Sequence, residues 1–306
     1  MTRIATSMIS QNALFDLQRS QRTMYEASTK ASSQNTASDM FGYGTKTQTL
    51  VSSQRLVARL ENRITRDQEL GARMTIQDTS LQQASEMMAN LRATITEAVG
   101  LGSGSVVNDS MKQAFAGVRD AFNANINGRY LFAGTLNDQA PIQVGSLAEL
   151  GATAAVDDAF VQGAIAQEVK IDAVQTVKLA PLATQAAESS LDALRSMQVF
   201  SDSIGGFGDP MTDAQKDFLK SMLTQLDTAN ADLIAAQGAN GQAQGQIDSA
   251  IERQTNQLNS LNNSIGETVN VDLAEVALQL NQAQLSYEAS ASIFNTLRGL
   301  TLLNVL

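Results

Sequence analysis

The chain has 306 residues, with 21 Lys and Arg against 31 Asp and Glu, a net charge of −10, and no Cys or His. That balance argues against a nucleic-acid binder, which needs cationic surface to meet phosphates. The missing residue types exclude a disulfide framework, soft-metal sites and imidazole or thiolate catalysis. Residues 3–31 are predicted to form a first helix, with Ile4, Met8, Leu14, Phe15, Leu17, Met24 and Tyr25 on a broad apolar stripe. The turn-rich run 32–45 breaks it. A second helix is expected over 46–99. Its later half keeps a heptad through Leu70, Met74, Gln77, Leu81, Ala84, Met88, Leu91, Ile95 and Ala98, the spacing of a coiled-coil seam.

The Gly- and Ser-rich run 100–105 stops that helix. A third, over 108–126, carries Met111, Phe115, Val118, Phe122 and Ile126 at helical spacing. After Asn127-Gly128 the short apolar run Arg129-Tyr130-Leu131-Phe132-Ala133-Gly134 reads as a strand. Residues 137–181 are punctuated by Gly and Asp and hold two β-prone pieces, 169–171 and 176–179, so a small β-containing insertion is expected there. Helix returns over 183–202. Thr212, with Gln215 three residues on, then forms a helix-start signal ahead of Phe218, Leu219, Met222, Leu223, Leu226 and Leu233. A separate polar helix with Ile247, Ile251, Leu258, Leu261 and Ile265 is expected next, broken near Gly266. A last helix over 271–305 places Leu273, Val276, Leu280, Ala283, Tyr287, Phe294 and Leu297 on one stripe.

The expected fold class is therefore mainly α: a long antiparallel helical bundle or coiled coil built from both chain ends, with a small β-containing insertion. The expected division is 1–45 with 270–306 as terminal helical arms, 46–136 with 182–269 as a helical rod domain, and 137–181 as an outer insertion. Residues 1–66 carry nine basic and four acidic side chains, and residues 245–306 carry two and six. Opposite signs favour pairing of the two ends. An isolated arm buries too few apolar side chains to offset the cost of ordering its backbone. The ends are therefore expected to order on assembly. No run of 18 apolar residues is present, so no membrane span is expected. The N-terminus lacks the apolar core of a secretory signal, so any export is expected to take another route. The acidic pair Asp157-Asp158 has no His, Cys or phosphate loop near it, and neither an enzyme nor a cofactor is expected.

Gly128-Arg129-Tyr130-Leu131-Phe132-Ala133-Gly134 resembles the signature of the flagellar hook-associated proteins that join hook to filament (hook-associated protein 3), relatives of flagellin. Val271-Asp272-Leu273-Ala274-Glu275 and Leu280-Asn281-Gln282-Ala283-Gln284-Leu285, with Phe294, Leu302 and Leu303, resemble the C-terminal helix shared by flagellins and junction proteins. The opening Arg3-Ile4-Ala5-Thr6-Ser7-Met8 is similar to the family's start. The likeness covers both terminal thirds and 128–134, and the insertion carries none. One departure stands out. The family's turn after the first helix carries Ser-Asp-Asp-Pro, whereas Asn35, Ser38 and Asp39 are followed here by Met40-Phe41.

The resemblance implies an extracellular structural subunit of the bacterial flagellum, exported by the flagellar secretion apparatus, forming a limited homo-oligomeric layer. Hook-associated protein 1 would lie on its hook side and flagellin on its filament side, with an export chaperone at the C-terminal helix. The implied assembly residues are Ile4, Met8, Phe15, Leu17, Met24, Leu273, Val276, Leu280, Tyr287, Phe294, Leu297, Leu302 and Leu303. A self-polymerising flagellin and a soluble coiled-coil adaptor are the alternatives. The 128–134 run favours the junction protein over flagellin.

Overall fold

The computed structural model describes residues 2–172 and 175–303, with side chains for 8, 9, 11–172 and 175–297. The chain divides into two compact units, Met1–Glu61 with Asn256–Leu306, and Asn62–Thr255.

In the terminal unit, helix α1 (Thr2–Ser33) packs against helix α7 (Leu273–Leu303). Ala13, Leu17, Ser20, Met24 and Ala27 of α1 meet Val276, Leu280, Ala283, Tyr287, Ser290, Phe294 and Leu297 of α7. Both sets alternate by four and three residues, the period that keeps one narrow stripe against a partner helix. The Ser20 and Ser290 hydroxyls meet at 3.2 Å, and an antiparallel bridge joins Asn35 to Asn270, so the helices run in opposite directions. The turn after α1 is tied to the far end of the chain: Thr36 N–H donates to the Val269 carbonyl (2.7 Å) and Val271 N–H to that of Gln34 (3.1 Å). Asp39 caps the 3₁₀ turn Met40–Lys46 by accepting from Gly42 N–H at 2.9 Å. The Asp kept at 39 therefore serves the local turn.

The second unit holds the larger parts of α2 (Thr47–Leu101) and α6 (Asp213–Val269), which run antiparallel there. Arg92 pairs with Asp227, Ser85 Oγ donates to Asn230 Oδ1 (2.6 Å), Asn240 Nδ2 to the Met74 carbonyl (3.0 Å) and Gln254 Nε2 to Asp67 Oδ2 (3.0 Å). The expected α2 heptad from Met74 to Ala98 is buried throughout. Helix α6 answers with Gln215, Leu219, Met222, Leu226, Ala229, Leu233, Ala236, Asn240, Ala243, Ile247, Ala250 and Gln254, again by fours and threes. Asp67 is fully buried, held by Arg66 (2.9 Å) and Gln254, and this polar pair fixes the register of the seam. Helices α3 (Val107–Phe122) and α5 (Ala183–Ile204) pack on each other and complete the core.

The Thr212–Gln215 start signal forms a reciprocal box, with Gln215 N–H on Thr212 Oγ1 (3.3 Å) and Thr212 N–H on Gln215 Oε1 (2.9 Å). The break expected between two helices after it is absent: α6 is one helix of 57 residues. No Pro lies beyond Pro210, and the seam passes without interruption through the Gly-rich stretch 238–245. A Cβ at Gly238, Gly241 or Gly245 would meet nothing within 4 Å. Replacing all three with Ala is therefore expected to stabilise the chain by about 2–3 kcal/mol, read as a shifted urea midpoint.

The helix expected to reach 126 stops at Phe122, because Asn125–Ile126 (β1) folds back on Arg129–Tyr130 (β2) in an antiparallel hairpin. Asn127 and Gly128 take φ 52° and 78°, the left-handed pair that an Asn-Gly hairpin turn uses. In the insertion, β3 (Glu168–Lys170) pairs antiparallel with β4 (Thr176–Lys178), matching the two β-prone pieces. A short helix, α4 (Leu147–Ala152), was not expected. It offers only Leu147 and Leu150 as apolar signal and is capped by Ser146, whose Oγ accepts from Glu149 N–H at 3.2 Å.

Candidate assembly surfaces

The 128–134 motif is mostly interior. Leu131, Phe132 and Ala133 are buried, and the Phe132 ring lies 4.9 Å from that of Phe122 at 60°. Its backbone joins three other segments: Leu131 N–H donates to the Ala124 carbonyl (3.0 Å), Ala183 N–H to that of Phe132 (3.0 Å) and Gly163 N–H to that of Ala133 (2.9 Å). Gln167 Nε2 donates to the Gly134 carbonyl (2.9 Å). Gly134 has φ 62°, and a Cβ there would stand 2.6 Å from the Ile165 carbonyl oxygen. The run thus latches the exit of α3 to the 163–167 loop and the start of α5. Arg129 is exposed and Tyr130 half-buried, with Tyr130 N–H on the Asn137 carbonyl (2.8 Å).

The terminal helices divide the residues named from the sequence into two groups. Val276 is buried, and Leu17, Met24, Leu280, Tyr287, Phe294 and Leu297 are half-buried in the α1–α7 seam. Met8, Phe15 and Leu273 are exposed. The side chains of Ile4, Leu302 and Leu303 lie outside the described residues. Seven-residue spacing puts Met8 above Phe15 on the side of α1 turned away from α7. It does the same for Leu278 and Leu285 on the side of α7 turned away from α1. Phe15 and Leu285 are each 67% exposed. Leu278 and Leu285 were not among the expected assembly residues, although two leucines one heptad apart and off the main stripe are a readable sign of a second face.

Among the described residues no ion pair joins α1 to α7. The seam is made by small and apolar side chains, and screened surface charges add little to such a contact. The acidic pair in the insertion is also local: Asp158 Oδ2 accepts from Ala155 N–H at 3.0 Å and closes the 3₁₀ turn Val156–Ala159.

This architecture defines a class: a mainly helical chain whose first and last helices pair antiparallel with apolar residues on their outward faces, and which carries a small β-containing insertion. Solved structures with this fold include Bacillus cereus FlgL, at a TM-score of 0.54 and 14% identity, covering 71% of this chain and 98% of that one. A protein from Vibrio parahaemolyticus, provisionally assigned as flagellar hook-associated, matches at a TM-score of 0.56 and 17% identity, covering 76% of this chain and 99% of that one. At these identities the likeness establishes the fold. No family model and no curated protein matches the sequence.

Proposed function

We propose that this chain is a non-enzymatic structural subunit of the bacterial flagellum, placed at the junction of hook and filament. In this reading it forms a limited layer of copies, with hook-associated protein 1 on one side and flagellin on the other. It reaches the outside of the cell through the flagellar secretion apparatus, and an export chaperone covers its C-terminal helix beforehand. The observation that carries this reading is the pair of outward apolar stripes, Met8 with Phe15 and Leu278 with Leu285, on helices whose seam already satisfies each other. Apolar side chains repeated at heptad spacing on an exposed face suit burial against neighbouring subunits. The fold shared with Bacillus cereus FlgL and the 128–134 run support the junction over the filament.

Addition of purified chain to hook-capped seeds tests it. A junction subunit adds one bounded layer and stops at any excess of protein, seen by electron microscopy. Continuous growth from the seeds would make the chain a flagellin. A chain that adds nothing and stays well folded would be a soluble adaptor.

A further inference from the structure

The chain holds two Asn-Gly pairs, Asn127-Gly128 and Asn240-Gly241. Glycine carries no Cβ beside its amide nitrogen, so that nitrogen can approach the side chain of the residue before it. The fold treats the two pairs oppositely.

Asn127 and Gly128 are the whole loop between β1 and β2, and both are exposed. Among the described residues the Asn127 side chain has no hydrogen-bond partner, and Gly128 N–H donates to no carbonyl. A Cβ at Gly128 would meet nothing within 4 Å, so the space around the turn is open. Each strand of the hairpin has only two residues, and so short a ladder opens at low cost. Asn240 is instead 2% exposed, lies within α6, and donates its Nδ2 to the Met74 carbonyl at 3.0 Å. Gly241 N–H lies inside the same helix, where the ladder holds each amide on a carbonyl one turn back. Reaction at Asn240 therefore has to wait for the seam to open.

We propose that Asn127 is a site of spontaneous covalent modification, deamidation through a cyclic imide, and that the fold shields Asn240 from it. The Gly128 amide nitrogen attacks Asn127 Cγ and forms the N–Cγ bond. The Cγ–Nδ2 bond breaks, and Nδ2 leaves as ammonia with the proton from Gly128 N–H. Water then opens the imide at one of its two carbonyls. One opening restores the backbone and leaves an aspartate; the other routes the backbone through Cγ and leaves an isoaspartate. No oxidant or reductant takes part. Either product places a carboxylate two residues before the exposed Arg129. Isoaspartate also adds one carbon to a turn whose length sets the pairing of Ile126 with Arg129. That pairing leads directly into the buried run Leu131, Phe132 and Ala133. The site does not depend on the flagellar reading.

Peptide mapping by mass spectrometry tests it, on the full chain kept folded in mildly alkaline buffer and, in parallel, in urea. In the folded chain the Asn127 peptide is expected to gain the mass of an amide-to-acid change at least about tenfold faster than the Asn240 peptide, which waits on local unfolding. In urea the two are expected to convert at similar rates. Asn123 and Asn125 share the first peptide, so Asn127→Gln is the control and is expected to abolish the gain. The aged chain, rich in isoaspartate, is expected to unfold at lower urea than Asn127→Asp, which carries the same charge on an unaltered backbone. Conversion of Asn127 in urea but not in the folded chain overturns the proposal, as does equal conversion of both sites in the folded chain. A gain that persists in Asn127→Gln overturns the assignment to that residue. Equal urea midpoints overturn the link from the modified turn to the buried run.

Discussion

The double substitution Phe15→Asp with Leu285→Asp is expected to abolish addition to seeds while leaving the unfolding of residues 62–255 unchanged. Both side chains point away from the α1–α7 seam and are two-thirds exposed, so a carboxylate at either position stays in water in the lone subunit. Surface changes of this kind cost a monomer within about 0.5 kcal/mol. At a subunit contact the same carboxylates would be desolvated without a partner, a penalty of several kcal/mol for each ion, repeated at every interface of the layer. The contrast is Leu280→Asp. That side chain sits half-buried in the seam, and the change should separate α1 from α7 before any assembly. Circular dichroism of the free subunit tells the two apart: helix content is retained in the double variant and falls in Leu280→Asp. Wild-type addition by the double variant would mean that the outward stripes do not make the contact.

The seam of α2 was legible because Met, Leu and Ile mark five of the eight positions from Met74 to Ala98. The seam of α6 was harder to read. Gln215, Asn240 and Gln254 occupy buried positions, and Ala229, Ala236, Ala243 and Ala250 add little hydrophobic signal, so one long helix looked like two. Register there is held by polar contacts, Gln254 on Asp67 and Asn240 on the Met74 carbonyl, which a search for apolar periodicity passes over. The charge asymmetry of the chain ends was plain in the sequence, but among the described residues no ion pair carries it across the α1–α7 seam. α1 and α7 meet through Ala13, Ala27 and Ala283, whose small side chains let the helices approach closely. Of the assembly surface, the sequence stripe captured both sides of α1 and α7 without separating them. Met8 and Phe15 face outward, Leu17 and Met24 inward, and a hundred degrees per residue over so broad a stripe spans both faces.

Phe132→Ala is expected to destabilise the second unit by about 3–5 kcal/mol, the range for removing a buried aromatic side chain. Phe132 is 1% exposed and tilted against Phe122, and the carbonyl beside it receives the first amide of α5, so the cavity cannot collapse without moving that helix. Gly134→Ala should act by a different route. It forces an L side chain into φ 62° and against the Ile165 carbonyl, loosening the 163–167 loop while the aromatic pair stays in place. Arg129→Ala, in the same seven-residue run, should leave the urea midpoint of the free chain unchanged, since its side chain is exposed and holds no ion pair among the described residues. Urea unfolding followed by circular dichroism separates the three. A large loss for Phe132→Ala with none for Arg129→Ala makes the run an interior latch carrying one outward cation. Comparable losses for both would mean that Arg129 supports the fold.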